Sequence, residues 1–108
     1  MNKLSPSLLS ADFTHLAEAV EVMEKNNVPY LHVDVMDGVF VPNISIGVPV
    51  VKSLRKITDL VLDVHLMIID PERYIEAFAN AGADIINIHY DACRKCKDTL
   101  IKIRQLGK

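Results

Sequence analysis

Two short stretches carry side chains that do chemistry, at a spacing that repeats. His32, Asp34 and Met36 alternate with Leu31, Val33 and Val35, and Asp63, His65 and Met67 alternate with Leu62, Val64 and Leu66. Successive side chains of a β-strand point to opposite faces, so each stretch places its polar members on one face and its aliphatic members on the other. The aliphatic face suits packing beneath helices. The polar face then points into the interior, where imidazoles and carboxylates are costly unless each is hydrogen-bonded or bound to an ion. Two imidazoles and one carboxylate, His32, Asp34 and His65, form a ligand set for zinc or a similar divalent ion. Without an ion the same residues would make a His–Asp hydrogen-bond network.

The elements that must position these residues follow from periodicity. Lys3–Leu9 reads as a strand, and Ser10-Ala11-Asp12 offers helix-capping chemistry through Ser10 or Asp12. From Phe13 to Lys25, Leu16, Ala17, Val20 and Met23 recur at helical spacing, opposite Glu18, Glu21 and Glu24. Tyr30–Val35 is a second strand, followed by a turn-rich loop over 37–43 and a helix over about 49–56. Leu60–Leu66 is a third strand. Asp70-Pro71-Glu72 opens a third helix with a cap and a first-turn proline, and Gly82 stops it. Ile85–His89 is a fourth strand, and a fourth helix runs over about 94–106 to Gly107.

This is β-α four times with no hairpin signal, which implies parallel strands joined by helical crossovers. An open doubly wound sheet would show a glycine-rich turn after the first strand, and none is present. A (β/α)8 barrel needs about 200 residues or more, roughly twice what this chain offers. The expected fold is therefore α/β: a (β/α)4 half of a TIM (β/α)8 barrel, one unit over residues 1–108, with Asp34 and His65 near the strand ends where barrel active sites lie.

Composition narrows the classes of function. A formal net charge of -2 leaves no basic face for nucleic acid and no polybasic membrane anchor. No apolar run is long enough to span a bilayer, and the residues after Lys3 lack the apolar core of a signal peptide. A cytoplasmic protein with reduced thiols is the expectation.

The motifs resemble those of the ribulose-phosphate 3-epimerase family. Ser5-Pro6-Ser7-Leu8-Leu9-Ser10-Ala11-Asp12-Phe13 is similar to the family's opening strand and turn. His32-Val33-Asp34-Val35-Met36-Asp37-Gly38 with Phe40-Val41-Pro42-Asn43 resembles the second strand and its loop. Asp63-Val64-His65-Leu66-Met67 resembles the third strand, and Pro71-Glu72-Arg73-Tyr74 the start of the third helix. The resemblance is collinear over essentially the whole chain.

What the resemblance implies is an isomerase of the pentose phosphate pathway, inverting C3 of a small-molecule ketopentose phosphate to interconvert ribulose 5-phosphate and xylulose 5-phosphate. His32, Asp34 and His65 would be the metal ligands, joined by an aspartate on a seventh strand. The metal would be zinc first, with iron, manganese or cobalt as alternatives. A divalent ion on the ketone and hydroxyl oxygens would stabilise the enediolate, and acid/base groups on opposite faces would move the proton. Asp34 matches one catalytic acid/base. Ser7 and His65 match substrate contacts, and Met36 and Met67 an apolar lining that simple core filling would equally explain.

A second catalytic aspartate and the phosphate-binding loops would lie past Lys108, so this truncated chain is expected to be inactive alone. Exposed sheet edges favour a homo-oligomer, and a non-catalytic self-associating half-barrel scaffold is the rival reading. An epimerase for a related ketose phosphate such as allulose 6-phosphate is another. Cys93-Arg94-Lys95-Cys96 is a lone CxxC, read as incidental helix-start cysteines. His15 reads as solvated, His89 as a satisfied polar residue beside Asn87, and Asp37 as turn chemistry.

Overall fold

Alternation of aliphatic and polar residues produces the strands where it is most regular. A computed structural model describes residues 2–108 and contains three parallel strands: β1 (Tyr30–Met36), β2 (Val61–Met67) and β3 (Ile85–Ile88), paired in that order. Helices alternate with them: α1 (Leu16–Lys25) precedes β1, α2 (Val48–Ile57) lies between β1 and β2, α3 (Ile75–Ala81) between β2 and β3, and α4 (Cys96–Gln105) after β3. This is an α/β arrangement of parallel strands alternating with helices, as in part of a TIM barrel.

Burial alternates residue by residue along β1 and β2. Leu31, Val33, Leu62, Val64 and Leu66 are fully buried, packed in one core with Val51 and Leu54 of α2, Ile75 and Phe78 of α3, and Ile103 of α4. Each such side chain contributes about 1.5–3 kcal/mol by leaving water. The opposite face of both strands carries the polar set. A one-residue slip in register would exchange the two faces, so the core fixes which residues stand on the polar side.

Several expectations are corrected. Lys3–Leu9 does not form a strand; only Ser7 makes an isolated parallel bridge to His32, with the His32 amide donating to the Pro6 carbonyl at 2.9 Å. Pro6 has no amide to extend the ladder. The Ser7 hydroxyl accepts from the Leu9 amide, turning the chain into a short 3-10 helix over Leu8–Ser10. Asp12, not Ser10, is the residue that caps, accepting from the Thr14 amide at 2.9 Å. In α1 Ala17 is exposed, while Leu16 and Met23 pack against the core.

Asp70 does not cap α3. It adopts a left-handed conformation (φ 49°), and its carboxylate takes Arg94 at 2.7 and 2.8 Å instead. Pro71–Arg73 forms a 3-10 turn before α3 begins at Ile75. Gly82 ends α3 as expected, at φ 117°, where an added Cβ would stand 2.4 Å from Cγ of Arg55. No helix among the described residues is long and apolar enough to cross a membrane.

Arg55 joins three segments around the start of β2. Its guanidinium donates to the Gly82 carbonyl at 3.2 Å, to Asp84 at 2.8 Å, and to the Thr58 and Leu60 carbonyls at 2.5 and 2.9 Å. Asp84 in turn accepts from the Leu62 amide at 2.9 Å. Replacing Arg55 with Ala should therefore lower stability in urea unfolding by about 2–3 kcal/mol, the scale of charge-assisted hydrogen bonds. Arg55→Lys should recover little, because an ammonium cannot reproduce the planar fork. A loss below about 0.5 kcal/mol, the range of neutral surface substitutions, would contradict this role.

Candidate metal centre

The pairing of β1 with β2 has no stagger between chemically matched positions. His32 stands across from Asp63, Asp34 from His65, and Met36 from Met67. Each of these residues is half-buried and on the face away from the helices. Because adjacent parallel strands lie about 4.8 Å apart, side chains at paired positions meet directly.

Asp34 is where they meet. Its Oδ1 lies 3.0 Å from His32 Nε2 and 3.0 Å from His65 Nδ1, while its Oδ2 accepts from the Ser7 hydroxyl at 2.7 Å. The bridge at Ser7 thus delivers the hydroxyl to the carboxylate even though no strand forms there. The Asp34 carbonyl is also held, accepting from the Ser45 hydroxyl at 2.7 Å, and that hydroxyl accepts from the Met36 amide at 3.0 Å. One donor atom from each of His32, Asp34 and His65 lies within 4.8 Å of the other two. Two imidazole nitrogens gathered on one carboxylate oxygen are a donor set that fits a divalent ion.

Burial pushes the Asp34 carboxyl upward, but the hydrogen bonds from Ser7 and His65 and the charges of His32 and His65 outweigh it and hold the group below the usual carboxylate range. Burial likewise pushes His32 down. Its hydrogen bond to Asp63 and the charges of Asp34 and Asp63 reverse that, so His32 titrates above its ordinary value.

Sequence reasoning set His89 aside, and the structure brings it in. His89 follows β3, and its Nε2 lies 2.7 Å from His65 Nε2, with the two rings stacked at 4.9 Å. Phe40 also packs against His89, 5.0 Å between ring centres with the rings tilted by 50°. Asp37 orders the loop that carries Phe40. One of its oxygens accepts from the Val39 and Phe40 amides, both at 2.9 Å, and the other from the Ile69 amide at 2.7 Å, tying the loop to the end of β2. Asp37 is thus turn chemistry that also ties two strand ends together.

Of the remaining expected residues, Met36 and Met67 stand side by side at the strand ends on the site's face. His15 is exposed, 58% accessible in its side chain, and pairs locally with Thr14 and Asp12. Cys93 and Cys96 are free thiols flanking the start of α4, and burial first, then neighbouring Cys96, pushes the Cys93 thiol up to about 11. A thiol so raised is a poor nucleophile.

Residues 3–108 match the model of the ribulose-phosphate 3 epimerase family. The chain is 51% identical over 107 residues to the ribulose-phosphate 3-epimerase of Bacillus subtilis, covering 99% of this chain and 49% of that protein. It is 50% identical over 107 residues to the enzyme of the same name from Synechocystis, covering 97% and 46%. It is 56% identical over 86 residues to the chloroplastic ribulose-5-phosphate-3-epimerase of Arabidopsis thaliana, covering 80% and 31%. The chain spans about half the length of the two bacterial relatives.

The opposed shifts of Asp34 and His32 give the metal-free chain a bounded pH window. A depressed carboxyl stabilises the fold above its unfolded value and loses that contribution as pH falls through the folded one. A raised imidazole stabilises below its unfolded value, near 6.5, and loses that contribution as pH rises through the folded one. Thermal unfolding in chelator should therefore show highest stability in mildly acidic buffer, with losses on both sides. Asp34→Asn should lessen the alkaline loss without removing it, because the hydrogen bond to Asp63 still raises His32. An unchanged alkaline limb in that variant would show that the His32–Asp34 pair does not set it.

Proposed function

Because the chain belongs to the ribulose-phosphate 3-epimerase family, we propose that its site serves metal-dependent inversion at C3 of a ketopentose 5-phosphate, interconverting ribulose 5-phosphate and xylulose 5-phosphate. The observation that carries this reading is the convergence of His32 and His65 on one oxygen of Asp34. His32 Nε2, the Asp34 carboxylate and His65 Nδ1 are the groups that would hold the ion. Zinc suits this donor set best, followed by iron, manganese or cobalt. When bound, the ion supplies positive charge beside the oxygens on which negative charge develops.

The chain's own residues do the rest. Asp34, held ionised by its neighbours, is the base that takes the proton from one face of the carbon next to the ketone, and in the reverse direction the acid that delivers a proton to that face. Ser7 fixes the second Asp34 oxygen and presents its hydroxyl to substrate. His65 contacts substrate as well as the ion, and Met36 and Met67 give the reacting carbons an apolar wall. Inversion also requires an acid on the opposite face of the planar intermediate. Asp63, the other carboxylate on this face of β2, is engaged by His32 and Ser5 and does not serve. The 108-residue chain is therefore expected to bind metal and to turn over no substrate.

The test is elemental analysis of the purified chain beside a coupled assay for xylulose 5-phosphate. Near-stoichiometric metal, at least tenfold lower in His65→Ala, with no turnover, is the expected outcome. A folded chain that takes up no zinc, iron, manganese or cobalt would sink the metal reading. Turnover by a monodisperse monomer would show that the second acid is present after all.

A second reading, a self-associating half-barrel scaffold, is favoured by the sheet edge. Among the described residues β3 has one strand neighbour, and Ile85 on it is 41% exposed. Light scattering should then report a dimer or larger species that Ile85→Lys dissociates. A monomer at micromolar concentration would remove this reading.

A further inference from the structure

Resting on the metal-site reading above, we propose that Asp63 and His89 are positioning residues, each fixing one of the two ligand imidazoles from behind. The geometry divides each ring cleanly. His32 turns Nε2 to the Asp34 oxygen at 3.0 Å and Nδ1 to Asp63 Oδ2 at 2.8 Å. His65 turns Nδ1 to the same Asp34 oxygen at 3.0 Å and Nε2 to His89 Nε2 at 2.7 Å. In both rings one nitrogen faces the shared carboxylate and the other faces a separate partner. A ligand imidazole has one nitrogen for the ion and one N–H to give away, and the acceptor of that N–H sets the tautomer, the ring plane and the basicity of the ligating nitrogen.

Asp63 is built for this task. It stands directly across from His32 in the β1–β2 register, its side chain is 18% exposed, and its Oδ2 also accepts from the Ser5 hydroxyl at 3.2 Å. A carboxylate behind His32 Nδ1–H leaves Nε2 free of its proton when an ion takes that position. His89 does the same for His65. With Nδ1 committed to the ion, His65 carries its proton on Nε2 and donates it to His89 Nε2, which accepts if His89 is protonated on Nδ1. A nitrogen pair 2.7 Å apart is a hydrogen bond, too close for both to bind one zinc at about 2.0–2.1 Å each in tetrahedral geometry. The tilted packing of Phe40 against His89 and the stacking of His89 on His65 hold the ring planes as well.

The test measures Co2+ binding by calorimetry and by visible absorption on the full 108-residue chain, with proton–nitrogen NMR of the imidazole groups. Asp63→Ala and His89→Ala should each weaken Co2+ binding by about 10- to 100-fold. Asp63→Asn and His89→Gln, which keep an accepting oxygen, should recover part of the loss. In wild type and Asp63→Asn the hydrogen-bonded Nδ1–H of His32 should give a protected downfield resonance that Asp63→Ala abolishes, with and without metal. Variants with wild-type melting and wild-type Co2+ affinity overturn the proposal, as does an Nδ1–H resonance indifferent to Asp63→Ala. If wild type itself binds no Co2+, the metal reading fails. The resonance in metal-free protein then still decides whether Asp63 orients His32.

Discussion

The in-register parallel pairing of β1 with β2 is the constraint on which the site depends. Six aliphatic side chains, three from each strand, are buried on one face, and their removal from water locks both strands against a one-residue slip. With that face fixed, the other face has no freedom left: Asp34 must stand beside His65, and His32 beside Asp63. The polar cluster is costly to gather in a half-buried place, and the hydrophobic side of the same strands offsets that cost. Stability and chemistry are thus opposite faces of one pair of strands.

The carboxylate of Asp34 turns this register into a centre. It receives one hydroxyl and two imidazole nitrogens, from three separate stretches of chain. Each donor is itself held from behind, His32 by Asp63, His65 by His89 and Ser7 by the Leu9 amide. An acceptor so surrounded stays ionised despite its burial, which suits it both to hold a cation and to move a proton. Asp37 and Ser45 extend the same order outward, fastening the loop after β1 to its own strand and to the end of β2.

Most of this was legible in the chain wherever one physical rule dominated. Period-two alternation in 31–36 and 62–67 gave the strands, the buried set and the polar trio, because burial of one face overrides other preferences. The repeated β-α rhythm gave the parallel arrangement, realised in three of the four expected strands. The reading failed where local chemistry competed. At Ser7 a side-chain hydroxyl and the missing Pro6 amide outweighed strand character, leaving a single bridge. At Asp70 the N-cap pattern was present, but a cationic partner 24 residues away took the carboxylate. His89 was missed for a related reason. It lies just past the strand in sequence, and only the packing of β3 beside β2 brings its ring onto His65. Period-two spacing from Asn87 was the one available signal.

The central claim is that His32, Asp34 and His65 act together as ligands of one divalent ion. Anomalous diffraction at the zinc edge, from crystals of the chain grown with Zn2+, tests it most directly. The expected result is a single strong peak bonded to His32 Nε2, an Asp34 oxygen and His65 Nδ1, with Zn–N distances of about 2.0–2.1 Å. A well-ordered crystal with no peak at the trio, or with zinc only at Cys93 and Cys96, would contradict it and leave the cluster as a hydrogen-bond network alone.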